Sequence, residues 1–247
     1  MFASFTERLN FGMGGGTVSA PSAFPTRPIG QLGNFNTYAI NFIAATGITA
    51  SDQQSAINQL AYDLVNTGLM DKMIAIYPFV GGNATSHSFN LKDPRDADSA
   101  YRLTFSGGFT HSSGGVQGNG TNAYANTYMN ASGRFPNAAA LHASVYSTTT
   151  TVPAGTQLEF GSTIGSTIVQ LRVASSNVIG GNSQLLSFTT TTNAGGHWLI
   201  TKRSNTDREI YRNGISEASS LISNTSAYGN GNLYFFARNT ATGTPDF

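Results

Sequence analysis

The chain has 247 residues, of which only 10% are charged, and its 13 basic and 12 acidic side chains leave a net charge of +1 at pH 7. Because phosphate binding needs clustered Lys and Arg and the longest basic run here is Lys202-Arg203, the composition argues against a nucleic-acid partner. The lack of cysteine excludes disulfide bonds and thiolate metal sites.

The first residues lack the pattern of a secretory signal. Glu7 and Arg8 interrupt the apolar residues at the start, and no apolar run in the chain approaches the ~20 residues that span a bilayer. We therefore expect synthesis in the cytoplasm and no membrane partner.

Residues 1–35 are rich in Gly and Pro and predict no long regular element. Disordered tails usually lack large apolar side chains, which are costly to leave in water, but this segment has several. We therefore expect an extended N-terminal arm that orders against a neighbouring subunit of a homo-oligomer, with a disordered tail as the alternative. The candidate assembly residues are Phe2, Phe5, Leu9, Phe11 and Phe24.

Residues 36–70 have the spacing of a helical hairpin. Asn36 can cap a first helix that Gly47 ends with a positive φ, and Ser51 with Gln54 has the pattern of a capping box for a second helix. Because so short a hairpin cannot hold itself together, it must dock on the rest of the chain or on another protomer. Simple cover of a core and a device for assembly both stay open.

From Met73 onward the apolar residues alternate with a period of two, in short runs bounded by Gly, Asn, Ser and Thr. Short strands at intervals of roughly ten residues predict a sandwich or jelly roll, so residues 71–247 are expected to be one domain. The run MIAIYPFVGG is the expected first strand, broken at Pro78. The further predicted strands are YRLTF, GGFTH, NAYANTYM, LHASVYS, QLEFG, TIVQLRVA, QLLSFTT, HWLIT, EIYRN and NLYFFAR. The chain stops soon after the last of them, so the closing strand is either missing or supplied by a neighbour.

Residues 197–214 read as two strands joined by a polar turn, with Asn213-Gly214 closing the second strand. Trp198 begins the first strand, where a core position is favoured over a sugar-stacking one. This order of an aromatic and apolar strand, a charged turn and a short second strand resembles the penultimate hairpin of laminin-G-like and concanavalin A-like jelly rolls.

A more specific resemblance lies in residues 71–130. The unusual strings in this block are DKMIAIYPFVGG at 71–82, NLKDPRD at 90–96, RLTFSGGFTHSSGG at 102–115 and GNGTNAYANT at 118–127. They strongly resemble a family of bacteriophage structural proteins, virion or tail-fibre components with a concanavalin A-like domain. With the helices before it and the hairpin after it, the resemblance covers about residues 36–240, and the N-terminal arm lies outside it.

The resemblance implies a mainly β fold, a concanavalin A-like jelly-roll sandwich preceded by the helical hairpin and the arm. It also implies a non-enzymatic structural role in a bacteriophage virion, as a tail-fibre, capsid-decoration or adhesion component. The partners would be other virion proteins and further copies of the chain, and the protein would reside in the virion after synthesis in the host cytoplasm. The alternative within the same fold is a carbohydrate-binding module that recognises host surface glycans.

The KDPRD run at 92–96 places opposite charges around Pro94 and predicts a pinned turn, with Asp93 positioned to bond backbone amides. A cation site on Asp93, Asp96 and Asp98 is the sharper alternative. Against it, Asp98 stands where a calcium-binding loop requires glycine. We therefore expect a turn and no metal.

The carboxylates do not form a catalytic pattern. Glycosidases on such folds need two carboxylates about 5 to 10 Å apart, yet the only carboxylate between Ser99 and Thr206 is Glu159. In the segment 202–208, which is too hydrophilic for a core, we expect exposed ion pairs of acidic residues flanking Arg208.

The histidines lack zinc-motif spacing, so a shared site would require them to converge in space. They are His87, His111, His142 and His197. We expect no catalytic residue, no cofactor and no enzyme activity. Four tyrosines in surroundings rich in Asn, Thr and Gly are instead candidate stacking surfaces for a glycan. They are Tyr124, Tyr128, Tyr146 and Tyr228.

Overall fold

The computed structural model describes residues 35–134, 141–148, 156–164, 167–174, 177–182, 184–189, 195–221, 230–240 and 244–247. The predicted N-terminal arm and one binding candidate lie outside these ranges. The predicted residues concerned are Phe2, Phe5, Leu9, Phe11, Phe24 and Tyr228.

Four of the five described helices, including the two of the predicted hairpin, precede the first strand. Asn36 caps α1, because its side-chain oxygen accepts a hydrogen bond from the backbone N–H of Tyr38 at 3.0 Å, and Gly47 ends this helix at φ 67°. Both predicted caps of α1 are confirmed. The described helices are α1 (Thr37–Thr46), α2 (Ser51–Asn66), α3 (Leu69–Lys72), α4 (Ala84–Ser88) and α5 (Ala131–Arg134), with a 3₁₀ turn at Asp98–Ala100.

The predicted capping box at the start of α2 is wrong. Ser51 is the first residue of the helix, and Ala50 occupies the cap position without a side-chain hydrogen bond. Gln54 does reach back, but its Nε2 donates to the carbonyl of Ile48 at 2.8 Å. The short connection between the two helices brings this carbonyl, rather than the N–H of the cap residue, within reach of the glutamine.

Strands make up most of the remaining described chain. They are β1 (Thr104–Ser106), β2 (Phe109–Ser112), β3 (Gly115–Gly118), β4 (Tyr124–Asn130), β5 (Leu141–Ser147), β6 (Thr156–Ile164), β7 (Thr167–Ala174), β8 (Asn177–Asn182), β9 (Gln184–Thr189), β10 (Gly196–Ser204), β11 (Asp207–Arg212), β12 (Ile215–Ser220), β13 (Asn232–Phe235), β14 (Arg238–Asn239) and β15 (Pro245–Asp246). A nine-stranded sheet has the order β1-β4-β13-β6-β7-β8-β9, with β14 beside β6 and β15 beside β14. A four-stranded sheet has the order β12-β11-β10-β5, and β2 pairs with β3 alone.

The two larger sheets share one hydrophobic core, which makes the fold a sandwich. Trp198 of β10 is 1% exposed within this core, so its predicted core position is confirmed. The predicted mainly β, jelly-roll-like architecture is therefore the observed one. The core residues from the nine-stranded sheet are Ala125, Met129, Leu233 and Phe235, and those from the four-stranded sheet are Leu141, Ala143, Val145, Trp198, Ile200 and Ile210.

The turn of the β10–β11 hairpin is tighter than predicted. Pairing continues to Ser204 opposite Asp207, and it places Lys202 opposite Arg208. Because side chains alternate along a strand, Lys202 lies on the same face as the core residue Ile200. Lys202 and Arg208 are 1% and 2% exposed, so the expected exposed turn is wrong for both residues.

The predicted first strand, at residues 73–82, is also wrong. This segment forms no β-ladder, although Ala75, Ile76 and Tyr77 are all buried. Its side chains divide between two clusters: Tyr77 belongs to the sandwich core, whereas Ile76 belongs to a second core beneath the helices. The run is apolar at successive positions because the chain lies between two apolar regions, and each region takes some of its side chains.

Asn90 replaces a neighbouring strand for this segment. Its Oδ1 accepts hydrogen bonds from the backbone N–H of Ile76 at 2.9 Å and from that of Lys92 at 3.1 Å, and its Nδ2 donates to the carbonyl of Ala100 at 3.1 Å. The N–H of Leu91 donates to the carbonyl of Ile76 at 2.8 Å. Buried backbone groups are thereby satisfied without a ladder.

The helical hairpin packs on its own chain. The second core joins buried residues of α1 and α2, such as Phe42 and Ile57, to Ile76 and Leu91. The structure thus shows the hairpin covering a core of the same protomer. None of the helices in the described ranges is long and apolar enough to cross a membrane.

Candidate functional site

Two of the tyrosines predicted to bind a glycan, Tyr124 and Tyr128, lie on the outer face of β4. This strand alternates strictly between half-buried and buried residues, which places Tyr124, Asn126, Tyr128 and Asn130 on one face. The intervening residues, including Ala125, lie against the sandwich core. Two of the four predicted tyrosines are therefore on the same side of one strand.

Neighbouring strands add two more residues to this face. The register pairs Asn126 with Thr104 of β1 and with Tyr234 of β13. The hydroxyl of Tyr128 donates to Thr104 Oγ1 at 2.9 Å, and the rings of Tyr124 and Tyr234 lie 5.0 Å apart between centroids. We call this group, Thr104, Tyr124, Asn126, Tyr128 and Tyr234, the tyrosine surface.

Tyr128 has an unusual backbone. Its φ is 56°, in the left-handed region that side chains larger than glycine rarely adopt and that costs of order 1 to 3 kcal/mol. Asn126 supports this conformation, because its Oδ1 accepts a hydrogen bond from the N–H of Tyr128 at 2.9 Å. On the buried side, Thr127 Oγ1 donates to the carbonyl of Leu233 at 2.8 Å and accepts from the N–H of Met129 at 3.0 Å. These bonds fix the direction in which the Tyr128 ring leaves the sheet.

The tyrosine surface is uncharged. Strands β1, β4 and β13 contain no Asp, Glu, Lys, Arg or His. Burial and the neighbouring hydroxyls of Tyr124 and Tyr128 raise the pKa of Tyr234, so its phenol stays protonated at neutral pH. At one end of the face, Asn130 Nδ2 donates to Asn230 Oδ1 and Ser132 Oγ donates to Asn130 Oδ1, each at 2.8 Å. The face therefore offers aromatic rings, hydroxyls and amides.

Of the other predicted tyrosines, Tyr228 lies outside the described residues and Tyr146 does not join this group. Tyr146 lies on β5, in the four-stranded sheet, opposite His197 of β10. Tyr234 was missed by the sequence analysis, although its strand was predicted. Its place beside Tyr124 depends on the pairing of β13 with β4, more than 100 residues earlier in the chain, and no local pattern reports that pairing.

Two of the four histidines converge. His87 of α4 and His111 of β2 lie with their Nδ1 atoms 3.0 Å apart, and the rings of Phe79 and Phe105 pack edge-on against them. Burial, and then the charge of His111, lowers the pKa of His87 to about 4, and burial also lowers the pKa of His111. Both rings are therefore neutral at neutral pH. Within the described ranges, no group of three His, Asp or Glu residues is placed to hold a metal ion.

The acidic residues of the KDPRD turn are held by arginines. Arg95 donates to both carboxylate oxygens of Asp93, at 2.7 and 2.6 Å, and this lowers the pKa of Asp93. A backbone hydrogen bond from Arg95 also lowers the pKa of Asp93, in agreement with the expectation that this carboxylate bonds a backbone amide. Arg102 contacts Asp96 at 2.9 Å and Asp98 at 3.3 Å. These pairs favour the pinned turn over the cation site.

Lys92, the first residue of the same turn, bonds backbone groups. Its Nζ donates to the carbonyl of Met70 at 2.9 Å and to that of Met73 at 2.5 Å, which ties the turn to the end of α3.

The carboxylates of the β10–β11 hairpin also pair with an arginine, but not with the one expected. Arg203 contacts both Asp207 and Glu209 at 2.7 Å and donates to the hydroxyl of Tyr211 at 2.9 Å. Arg208 instead points inward and donates to Ser220 Oγ at 3.2 Å. The alternation of side chains along the strands places Arg203 on the outer face and Arg208 on the inner one.

No family model and no curated protein matches this chain. Among solved structures, the binding domain of botulinum neurotoxin serotype C1 is similar to 56% of this chain, with 11% sequence identity and a TM-score of 0.43. The binding domain of serotype D is similar over 56% of this chain, with 15% identity and a TM-score of 0.36. A third similar structure concerns botulinum neurotoxin type C, whose cell entry is dependent upon interaction with two ganglioside molecules; it has 12% identity and a TM-score of 0.43. The matched region spans about two fifths of the length of each of these domains.

Proposed function

We propose that this chain is a non-enzymatic structural protein of a bacteriophage virion, a fibre, decoration or adhesion component that displays its sandwich on the particle. The observation that carries the proposal is the resemblance of residues 71–130 to phage structural proteins. This block supplies the buried segment between the two cores, the arginine-held turn and strands β1 to β4. The resemblance therefore covers the centre of the fold and the strand that bears Tyr124 and Tyr128.

The chemistry of the described residues supports a passive role. The clustered carboxylates of the KDPRD turn and of the β10–β11 hairpin are engaged by Arg95, Arg102 and Arg203. A carboxylate held by a guanidinium is kept ionised and is poorly suited to act as a general acid at neutral pH. In this proposal the chain assembles with other virion proteins and with copies of itself, and it reaches the virion after synthesis in the host cytoplasm.

The test is to locate the chain in purified particles. Phage particles from cells that encode the chain are banded on a density gradient, the chain is identified by mass spectrometry, and an antibody against it is imaged on intact particles. We expect the chain to band with infectious particles and the antibody to decorate one fixed position. Recovery of the chain only from the soluble fraction of the lysate would refute the proposal.

A second candidate function is glycan binding, favoured by the tyrosine surface. Aromatic rings stack on the apolar faces of sugars, and adjacent hydroxyl and amide groups bond sugar hydroxyls. In this candidate the virion component recognises polysaccharide on the host surface. We expect the purified protein to bind host polysaccharide and Tyr124→Ala to weaken that binding, whereas Tyr62→Ala on the outer side of α2 leaves it unchanged. Equal binding by both variants would place recognition elsewhere.

A further inference from the structure

We infer that the tyrosine surface takes an uncharged pyranose unit of a surface polysaccharide, rather than a sialylated or otherwise anionic sugar. This inference rests on the second candidate function, glycan binding, and adds to it the chemical class of the ligand. The feature that carries it is the lack of charged residues on the three strands that form the face, β1, β4 and β13.

Recognition of an anionic sugar in water usually requires a cation that can form a charge-assisted hydrogen bond to the carboxylate. Strands β1, β4 and β13 contain no cationic residue. The arginines nearest to these strands in sequence all have other partners. Arg102 is paired with Asp96 and Asp98, Arg134 lies 5.0 Å from the ring centre of Tyr101, and Arg238 is paired with Asp246.

The hydrogen-bonding groups of the face suit sugar hydroxyls. Tyr128 donates its hydroxyl proton to Thr104 Oγ1, so the Thr104 proton is left to point away from Tyr128 and the Tyr128 oxygen can accept. Asn126 uses its Oδ1 to hold the N–H of Tyr128, which leaves the amide NH₂ as the group it presents on the face. Donors and acceptors thus alternate within a small area, as they do around a pyranose ring. A carboxylate could use only the donors.

The aromatic part of the face is rigid. Tyr234 is 8% exposed and supports Tyr124 from one side, with 32° between the two ring planes. The direction of Tyr128 is fixed by its backbone and by Thr104. Rigid rings lose little conformational entropy on binding. A single sugar unit that contacts two such rings is expected to bind with a dissociation constant on the order of millimolar.

The experiment compares neutral and anionic polymers on the full chain. The probes are a soluble glucan, mannan and galactan as neutral polymers and polysialic acid as the anionic one, each presented to the immobilised protein at low and high NaCl. We expect binding to at least one neutral polymer with little change in affinity on adding salt, and no binding to polysialic acid. We expect Tyr124→Ala to weaken the neutral interaction about tenfold, as loss of one stacked ring implies.

Matched variants separate loss of recognition from loss of folding. Tyr124→Phe keeps the ring and is expected to retain most of the affinity, and Tyr62→Ala is expected to behave as wild type. Circular dichroism checks that each variant is folded.

Each remaining outcome has a distinct meaning. Salt-sensitive binding of polysialic acid that is lost in Tyr124→Ala would overturn the inference and leave the glycan-binding function standing. Neutral binding that Tyr124→Ala does not weaken would overturn the inference by placing the site elsewhere. Silence toward every polymer would overturn both this inference and the glycan-binding function.

Discussion

The contact between His87 and His111 makes the protonation of two side chains part of the fold. At an Nδ1–Nδ1 distance of 3.0 Å one ring must donate and the other accept, so the two imidazoles carry their protons on different nitrogens. His87 is 1% exposed, and a charge on it would be poorly solvated. The pair is therefore stable in its neutral form.

This pair predicts a loss of stability in acid. The pKa of His87 is lowered from 6.5 to about 4 in the folded chain, so between these values the unfolded chain binds a proton that the folded chain does not. The contribution of His87 to the free energy of unfolding is fully present above pH 6.5. It falls by about 1.4 kcal/mol per pH unit as the pH drops from 6.5 toward 4. Urea unfolding at pH values across this interval measures the slope.

The variant His87→Phe keeps an aromatic ring at the site and removes the titrating group. We expect the free energy of unfolding of this variant to change less steeply with pH than that of wild type, by the equivalent of about one proton taken up on unfolding. Tyr62→Phe on the exposed side of α2 is the control and should retain the wild-type slope. An unchanged slope in His87→Phe would mean that His87 titrates normally in the folded chain.

Local patterns predicted the start of α1 correctly and the start of α2 incorrectly. Asn36 caps α1 as predicted, because a cap bond forms within three residues and needs no distant partner. Ser51 had an equally good local pattern, but its helix begins one residue earlier than a cap at Ser51 would require. The start of α2 is set by the path of the short connection that precedes it, and the residues of a capping box do not report that path.

We therefore expect opposite outcomes from two similar substitutions. Asn36→Ala should lower the free energy of unfolding by about 1 kcal/mol, since it removes the acceptor for the N–H of Tyr38. Ser51→Ala should change it by less than about 0.5 kcal/mol, because no cap bond is lost. Urea unfolding of both variants at one pH decides the matter. Equal losses in the two variants would contradict the assignment of the caps.

At the scale of elements, the apolar run at residues 73–80 shows what a hydrophobic pattern does and does not report. A short continuous apolar run indicates an extended chain that is buried on both sides. It does not indicate a hydrogen-bonded neighbour. Here the neighbour is the side chain of Asn90, which no propensity scale connects with Ile76. The extended conformation could be predicted from the sequence, whereas the missing ladder could not.

Asn90 is accordingly expected to be one of the most sensitive positions of the chain. Asn90→Leu would leave the backbone groups of Ile76, Lys92 and Ala100 without their partner, at about 1 to 3 kcal/mol for each buried group. We expect a loss of at least about 3 kcal/mol in the free energy of unfolding, measured with urea.

A matched asparagine provides the control for this measurement. Asn41 is exposed on α1, and Asn41→Ala should change the free energy of unfolding by less than about 0.5 kcal/mol. A loss below about 1 kcal/mol in Asn90→Leu would show that water or a rearranged backbone replaces the amide.

At the scale of the whole molecule, the sequence predicted the class of fold more successfully than its surfaces. Regular short strands indicated the sandwich, and Trp198 was correctly placed in its core. The tyrosine surface was predicted in part, because Tyr124 and Tyr128 lie on one strand. The approach of Tyr234, like that of His87 to His111, depends on distant pairings that composition and spacing do not encode.

The low charge of the chain leads to a prediction for the molecule as a whole. With a net charge of +1 and ion pairs that lie mainly at the surface, long-range electrostatics contribute little to folding. We expect the free energy of unfolding to change by less than about 1 kcal/mol between low and high NaCl. Thermal melting at low and high NaCl measures this change. A larger decrease in the free energy of unfolding at high NaCl would show that the ion pairs of Arg203 contribute more than surface pairs usually do.

The position of residues 73–80 between the two cores has a mechanical consequence. Ile76 and Tyr77 are adjacent in the chain, yet they belong to different clusters. Unfolding of either cluster would therefore displace a buried residue of the other. We therefore expect the helical hairpin and the sandwich to unfold as one cooperative unit. Calorimetry should record a single transition. A shortened chain that begins at β1 should fail to fold, because the sandwich core would lose Ala75, Tyr77 and Phe79.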